Sequence, residues 1–143
     1  MKEEKKALRK IIAQRKALYS IEQRKALSAV LLKQLERHPR FVEAHTVLLY
    51  YSLNDEVFTH EFVERWRKEK TLLLPVVKGE ELELRYYTGK EDLRIGAYNI
   101  EEPVGKLFTD YSKIDVTIVP GVSFDKERNR LGRGKGYYDR LLP

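Results

Sequence analysis

The sequence contains no cysteine among its 143 residues. Disulfide bonds, zinc–thiolate sites and thiol nucleophiles are therefore excluded together. It also lacks a run of about 18 consecutive apolar residues, the length that a membrane-spanning helix needs. The first ten residues, MKEEKKALRK, contain no apolar signal core. We therefore expect a cytoplasmic protein that has no membrane partner.

Charge is abundant but unevenly distributed along the chain. Residues 1–40 hold 12 Lys/Arg against 4 Asp/Glu (+8), residues 41–115 hold 10 against 15 (−5), and residues 116–143 hold 6 against 3 (+3). Basic ends around an acidic middle suit an anionic ligand or a nucleic-acid surface, or they are solvated helix faces. Tyr19 is the only aromatic residue in the first forty. RNA-binding modules combine basic patches with aromatic residues, so we expect no nucleic-acid partner.

Length and patterning predict one α/β domain spanning residues 1–143. Two helices are predicted before Pro39, and Ser20 and Gln23 have the spacing of a capping box at the start of the second. The apolar residues that approximate helical spacing in the first are Leu8, Ile11, Ile12 and Leu18. Those expected to form the buried stripe of the second are Ala26, Leu27, Val30, Leu31 and Leu35.

Continuous apolar runs predict strands that are covered on both faces, as in a parallel sheet. These runs are residues 46–51, 71–77 and 114–119, whereas residues 82–86 alternate and predict a half-exposed or edge strand. A helix is predicted over residues 56–69, with Trp66 in the core. Alternation of strands and helices predicts a mostly parallel sheet flanked by helices.

The segment from Val119 to Arg140 carries the clearest chemistry, because it follows a buried apolar run at the expected carboxyl end of a strand. Three glycines that allow close backbone approach stand at alternate positions: Gly132, Gly134 and Gly136. Three cations accompany them: Arg130, Arg133 and Lys135. Backbone amides and cations together suit a triphosphate, and the Asp139 carboxylate suits Mg²⁺. The alternative is a solvated loop whose glycines serve turns.

The string VPGVSFDKERNRLGRGKGYYDR resembles the signature of the 5-formyltetrahydrofolate cyclo-ligase family, also called 5,10-methenyltetrahydrofolate synthetases. Supporting similarities run in order along the chain: KKALR at 5–9, YSLNDE at 51–56, LRY at 84–86 and IEEP at 100–103. The resemblance implies a three-layer α/β fold with an N-terminal helical pair. The family extends several tens of residues further, with more strands and a second acidic metal ligand. We therefore expect the C-terminal part of that fold to be missing from this chain.

The resemblance implies a ligase that converts 5-formyltetrahydrofolate and MgATP to 5,10-methenyltetrahydrofolate, ADP and phosphate. ATP phosphorylates the formyl oxygen, N10 of the folate attacks the activated carbon, and phosphate leaves. Such chemistry needs positioning and charge neutralisation rather than a protein nucleophile. We expect a monomer acting on a small-molecule folate, with or without a polyglutamate tail. The alternative is a homologue or fragment that binds nucleotide and folate without turnover.

The resemblance also assigns residues. To ATP it assigns Lys5, Lys6, Arg9, Arg130, Leu131, Gly132, Arg133, Gly134, Lys135, Gly136, Tyr137 and Tyr138. To the folate substrate it assigns Tyr51, Glu56, Arg133, Gly134, Lys135, Gly136 and Tyr137. To catalysis it assigns Arg133, Lys135 and Tyr137, and to Mg²⁺ it assigns Asp139.

Each assignment has a structural alternative. The cations near the N-terminus could only solubilise a helix, Tyr51 could belong to the core, and Glu56 could be a first-turn carboxylate favoured by a helix dipole. Asp139 could pair with a neighbouring base. The three histidines have no metal-ligand spacing, and we interpret all of them as surface or structural residues: His38, His45 and His60.

Overall fold

The computed structural model describes residues 2–53, 56–96, 100–120, 123–124, 130–131 and 141. The helices are α1 (Lys2–Lys16), α2 (Ile21–Arg37), α3 (Pro39–Glu43) and α4 (His60–Trp66). The strands are β1 (Thr46–Leu48), β2 (Thr71–Lys78), β3 (Glu81–Tyr87), β4 (Leu93–Ile95), β5 (Glu101–Pro103), β6 (Leu107–Phe108), β7 (Val116–Thr117), β8 (Ser123–Phe124) and β9 (Arg130–Leu131). No helix in these ranges is long and apolar enough to cross a membrane.

The start of α2 confirms the predicted capping box. The Ser20 Oγ accepts a hydrogen bond from the Gln23 amide at 3.0 Å, and the Gln23 Oε1 accepts one from the Ser20 amide at 2.8 Å. The helix ends at Arg37, as the following proline predicts. Pro39 then opens the short α3, which the sequence did not predict, because the fixed φ of proline suits the first helical position.

Five strands form the main sheet, in the order β6-β3-β2-β1-β7. Strand β1 pairs in parallel with both β2 and β7, while β3 is antiparallel to β2 and to β6. Within the described part of the chain, only β3 therefore opposes the direction of the other four strands. This confirms the predicted α/β fold with a mostly parallel sheet. Two small antiparallel pairs, β4–β5 and β8–β9, lie outside it.

The central strands are buried on both faces, as their continuous apolar runs predict. One face packs against α2, α3 and α4, and its fully buried side chains include Val47, Leu49, Leu72 and Leu74. The other face contains Leu48, Leu73, Leu84 and Phe108, with helical Leu141 packed against it. Alternate residues of β1 and β2 thus contribute to opposite cores, whereas the terminal residues of β2, Thr71 and Lys78, are exposed.

The predicted buried stripe of α2 was wrong in all but one position. The side chains of Leu27, Val30 and Leu31 are more than half exposed, and Ala26 is exposed as well. The helix instead turns Ser28, Leu32 and Leu35 toward the core. The apolar stripe is wider than the contact that the sheet accepts, so spacing alone does not identify the buried side.

The residues chosen for the first helix are also largely exposed. Leu8 and Ile11 are close to half exposed, Leu18 is 82% exposed beyond the end of α1, and Ile12 is half-buried. These side chains approximate helical spacing, but α1 does not bury them against the main core in the described structure.

The helix predicted over residues 56–69 begins later, at His60. The backbone of residues 56–59 is already engaged elsewhere: the Phe58 amide donates to the Ser28 Oγ at 2.9 Å, and the Thr59 amide donates to the Ser52 Oγ at 2.9 Å. Trp66 packs against the core, as predicted, and its indole N–H donates to Glu36.

Candidate functional site

The candidate site lies at the carboxyl end of β1, where ligands bind in open α/β sheets. The chain leaves β1 after Leu48 and continues through two tyrosines, with the Leu49 amide donating to the Leu73 carbonyl at 2.9 Å. Tyr50 is 7% exposed, whereas Tyr51 is half-buried. The end of the central strand therefore delivers one aromatic ring to the core and the next to a partly accessible position.

A reciprocal pair of hydrogen bonds joins this strand end to the start of α4. The Ser52 amide donates to the Thr59 Oγ1 at 3.0 Å, and the Thr59 amide donates to the Ser52 Oγ at 2.9 Å. The Thr59 hydroxyl in turn donates to the Tyr50 carbonyl at 2.7 Å. Ser52 and Thr59 are buried, so these bonds satisfy groups that water does not reach. We call this arrangement the Ser52–Thr59 clamp, and it fixes the loop that carries Glu56.

The Tyr51 ring stacks on the imidazole of His60, with ring centroids 3.7 Å apart and planes 8° apart. The Tyr87 ring lies 6.4 Å from the Tyr51 ring, centroid to centroid, and is tilted by 35° relative to it. Burial, followed by the nearby charges of Glu101 and Glu64, raises the pKa of the Tyr51 phenol. Tyr51 is therefore a neutral phenol at physiological pH, and its flat side chain suits packing against a heteroaromatic ring.

Glu56 is half-buried and belongs to the turn before α4, so the first-turn helix interpretation was wrong. Its Oε1 accepts a hydrogen bond from the Leu53 amide at 2.8 Å, and its own amide donates to the Leu53 carbonyl at 3.1 Å. Burial and, second, the charge of Glu56 raise the pKa of Tyr50. A carboxylate has about four acceptor positions, so the bond to Leu53 is compatible with a further N–H donor from a ligand.

Tyr51 and Glu56, the two residues assigned to folate alone, therefore belong to one fixed segment. The basic residues assigned to ATP lie on α1, where Lys5 and Lys6 are exposed and Arg9 is half-buried. Neither lysine side chain forms a hydrogen bond or an ion pair with another residue that the structure describes. Their role as phosphate ligands stays a prediction.

Two short strands precede the glycine-rich segment that the sequence predicts to be a loop. Ser123 pairs with Leu131 and Phe124 with Arg130, so β8 and β9 are antiparallel. The remaining loop residues assigned to ATP, folate, catalysis and Mg²⁺ lie outside the described residues: Gly132, Arg133, Gly134, Lys135, Gly136, Tyr137, Tyr138 and Asp139. These assignments, too, stay predictions.

No cluster of three or more potential metal ligands occurs among the residues that the structure describes. His38 has the predicted structural role, because its Nδ1 accepts a hydrogen bond from the Arg40 amide at the start of α3. His45 is exposed, and its amide donates to the Asp115 carboxylate at 2.9 Å. His60 packs in the candidate site. The assignment of Mg²⁺ to Asp139 stays a prediction, because Asp139 lies outside the described residues.

Sequence reasoning missed three residues that build the site: Ser28, Thr59 and His60. Ser28 is a buried serine within the apolar run of α2, and such a polar residue among apolar ones is a weak signal for a buried hydrogen bond. Thr59 and His60 gain their roles from contacts seven to nine residues back along the chain. No helical or strand period reveals such contacts.

The chain is similar to known proteins along nearly its whole length. The model of the family described as the 5-formyltetrahydrofolate cyclo-ligase family matches residues 1–143. The 5-formyltetrahydrofolate cyclo-ligase of Escherichia coli (strain K12) is 34% identical over 139 residues, which cover 92% of this chain and 76% of that protein. The Mus musculus cyclo-ligase is 28% identical over 148 residues, covering 96% of this chain and 73% of the mouse protein.

Solved structures agree with the sequence relatives. The NMR structure of Aquifex aeolicus 5,10-methenyltetrahydrofolate synthetase superposes with a TM-score of 0.83 at 40% identity, covering 96% of this chain and 71% of that one. The Mycoplasma pneumoniae synthetase gives a TM-score of 0.69 at 28% identity, with 96% and 76% coverage. The chain thus spans about three quarters of the length of these relatives. Its full-length match and its fold establish that the chain belongs to the 5-formyltetrahydrofolate cyclo-ligase family.

Proposed function

We propose that this protein converts 5-formyltetrahydrofolate to 5,10-methenyltetrahydrofolate at the expense of ATP, releasing ADP and phosphate. The observation that carries the proposal is the segment at the carboxyl end of β1, where the Ser52–Thr59 clamp fixes the loop that follows Tyr51 and carries Glu56. Family membership supports the same activity. We further propose a monomeric, cytoplasmic enzyme whose folate substrate carries or lacks a polyglutamate tail.

The folate side of the site follows from the chemistry of a pterin. Its amino-pyrimidine edge offers N–H donors, which a carboxylate accepts well, and its fused rings pack on a tyrosine face. Glu56 would accept from the pterin while the Leu53 amide holds its Oε1. Tyr51 would pack against the rings.

In the reaction, the terminal phosphoryl group of ATP passes to the formyl oxygen, giving ADP and an activated carbon. N10 of the folate then forms its bond to that carbon and releases its proton to solvent, the carbon–oxygen bond to phosphate breaks, and the ring closes. The protein's task is to align the formyl oxygen with ATP and to neutralise phosphate charge. We assign this neutralisation to Lys5, Lys6 and Arg9 on α1 and to the cations of the glycine-rich loop. Bound Mg²⁺ would add charge neutralisation at the phosphates, with Asp139 as the proposed protein ligand.

The substitution Glu56→Gln tests the folate site. Glutamine keeps an acceptor oxygen for the Leu53 amide but removes the negative charge, so the turn is retained while the pterin loses its charged acceptor. We expect the dissociation constant for 5-formyltetrahydrofolate to rise about tenfold, with the KM for MgATP changed less than twofold. Glu69→Gln, at an exposed position, is the matched control. Equal losses of folate and ATP affinity would contradict the pterin assignment.

The substitution Lys135→Ala tests the nucleotide loop. We expect a severe loss of ATP use. Circular dichroism should show an intact fold, because a cation in the predicted loop has little packing role. The dissociation constant for 5-formyltetrahydrofolate is measured in parallel. Wild-type turnover in this variant would count against the loop. Binding of both ligands by the unmodified chain without product would instead favour a non-catalytic binding protein.

A further inference from the structure

The Tyr51 ring has a specific partner in His60. The two rings lie parallel, 3.7 Å apart and 8° from coplanar. His60 is the first residue of α4 and is half-buried, so it presents its imidazole to Tyr51 from a rigid element. The stack covers one face of the tyrosine ring and restricts its side-chain rotation.

His60 is itself held in place. Its Nε2 lies 2.8 Å from the Ser52 carbonyl oxygen, and a carbonyl oxygen only accepts, so Nε2 carries the proton. Ser52 is fixed in turn by the Ser52–Thr59 clamp. The Phe58 ring packs on the imidazole at 4.9 Å, and the Phe58 amide is tied to Ser28 of α2. The imidazole is therefore fixed by a hydrogen bond to Ser52, which follows β1, and by an aromatic contact with Phe58, which precedes α4.

We propose that His60 is a positioning residue for folate binding: it fixes the Tyr51 ring against which the pterin of 5-formyltetrahydrofolate packs. This inference rests on the function proposed above. A tyrosine that is already immobilised loses less side-chain entropy when the ligand binds, so pre-organisation increases affinity without a direct contact from His60. The effect belongs to the folate and not to ATP.

The test is a double-substitution cycle on the dissociation constant of 5-formyltetrahydrofolate, measured without ATP. His60→Ala removes both the stack and the hydrogen bond, and we expect a three- to tenfold rise, the range that the loss of one aromatic pair corresponds to. His60→Phe keeps a stacking ring, and we expect a rise below threefold. In a Tyr51→Leu background, His60→Ala should add less than twofold, because its effect passes through the tyrosine.

Three further measurements separate positioning from a general structural role. The KM for MgATP should change less than twofold in His60→Ala. In NMR spectra of the wild type, we expect the imidazole to shift the Tyr51 ring protons upfield, and we expect this shift to be lost in His60→Ala and a ring-current shift to be kept in His60→Phe. The control His38→Ala removes the α3 cap and should leave both folate affinity and the Tyr51 signals unchanged.

The outcomes are distinct. If the wild type does not bind 5-formyltetrahydrofolate, both the proposed function and this inference fail. If it binds but His60→Ala raises the dissociation constant by the same factor with and without Tyr51, only the positioning role is overturned. Parallel losses of folate and ATP affinity, or unshifted Tyr51 protons in the wild type, would likewise overturn it while leaving the enzyme function standing.

Discussion

The buried hydroxyl of Thr59 offers the sharpest test of how the site is held. This side chain is fully buried, and its Oγ1 accepts from the Ser52 amide at 3.0 Å and donates to the Tyr50 carbonyl at 2.7 Å. Thr59→Val preserves the shape of the side chain but removes both bonds. The Ser52 N–H and the Tyr50 carbonyl are then buried without this partner, and each such group costs about 1–3 kcal/mol.

Some relaxation is expected, so we predict that Thr59→Val lowers the free energy of unfolding by about 2–4 kcal/mol. For a chain of this size, that corresponds to a Tm lower by roughly 7–13 °C. Thr59→Ser is the matched control, since it keeps the hydroxyl and loses only one methyl group, at about 1 kcal/mol. The hydrogen bonds therefore predict that valine is clearly worse than serine, although valine is the more hydrophobic residue.

Urea titration followed by far-UV circular dichroism and by Trp66 fluorescence measures the difference. The single tryptophan of the chain packs against the core, so its emission reports on global unfolding. The urea midpoint should fall with an unchanged m-value. If Thr59→Val proves as stable as wild type, or more stable than Thr59→Ser, the clamp does not hold the strand end and the reasoning from it is refuted.

Three other substitutions test contacts elsewhere in the fold. The Lys70 Nζ donates hydrogen bonds to the carbonyls of Phe41 and Ala44 at the end of α3, both at 2.7 Å. Lys70→Met should therefore lower the free energy of unfolding by about 1–2 kcal/mol in urea titration, and an unchanged midpoint would refute this role of Lys70. Tyr87 is buried, and its hydroxyl donates a hydrogen bond to the Glu64 carboxylate. Tyr87→Phe should therefore lower the free energy of unfolding by about 1 kcal/mol in the same titration, and a gain in stability would contradict this bond. Hydrogen bonds from the backbone amides of Thr46 and, second, of His45 lower the pKa of Asp115. Asp115 therefore stabilises the fold above its unfolded-state pKa, and this stabilisation is lost as the pH falls through its folded-state pKa. The difference in the free energy of unfolding between wild type and Asp115→Asn should shrink from pH 7 toward pH 3. A constant difference would contradict the stabilising role of the carboxylate.

Local signals in the sequence predicted the framework. The apolar runs at residues 46–51 and 71–77 identified the central parallel strands, because strands covered on both faces need continuous apolar sequence. The spacing of Ser20 and Gln23 identified the start of α2. The architecture of α/β sheets predicted a ligand site after the strand at residues 114–119, whereas the site at the end of β1 was predicted from family resemblance.

Long-range contacts determined what the sequence could not predict. The buried side of α2 depends on Ser28, which bonds to Phe58 thirty residues away. The same bond helps to prevent residues 56–59 from joining α4 and so explains the wrong helix start. The apolar character of α2 is spread over more than one face, and only packing against the sheet selects the side that is buried.

The candidate site was proposed from family resemblance, and its geometry could not be predicted. A tyrosine and a glutamate after a strand suggested a folate contact through family resemblance, but nothing in the sequence placed His60 against Tyr51. The stack requires the turn held by Ser52 and Thr59 to bring the start of α4 back over the strand end. Such a turn has no periodic pattern, because its bonds join side chains to backbone.

We propose that this chain couples ATP hydrolysis to ring closure of a formylated folate. The most direct measurement incubates the 143-residue protein with 5-formyltetrahydrofolate and MgATP, and follows methenyl product by absorbance while phosphate is quantified in parallel. We predict one phosphate released for each 5,10-methenyltetrahydrofolate formed, with neither appearing when folate or ATP is omitted. Phosphate release that is independent of folate, or bound folate with no methenyl product, would contradict the account.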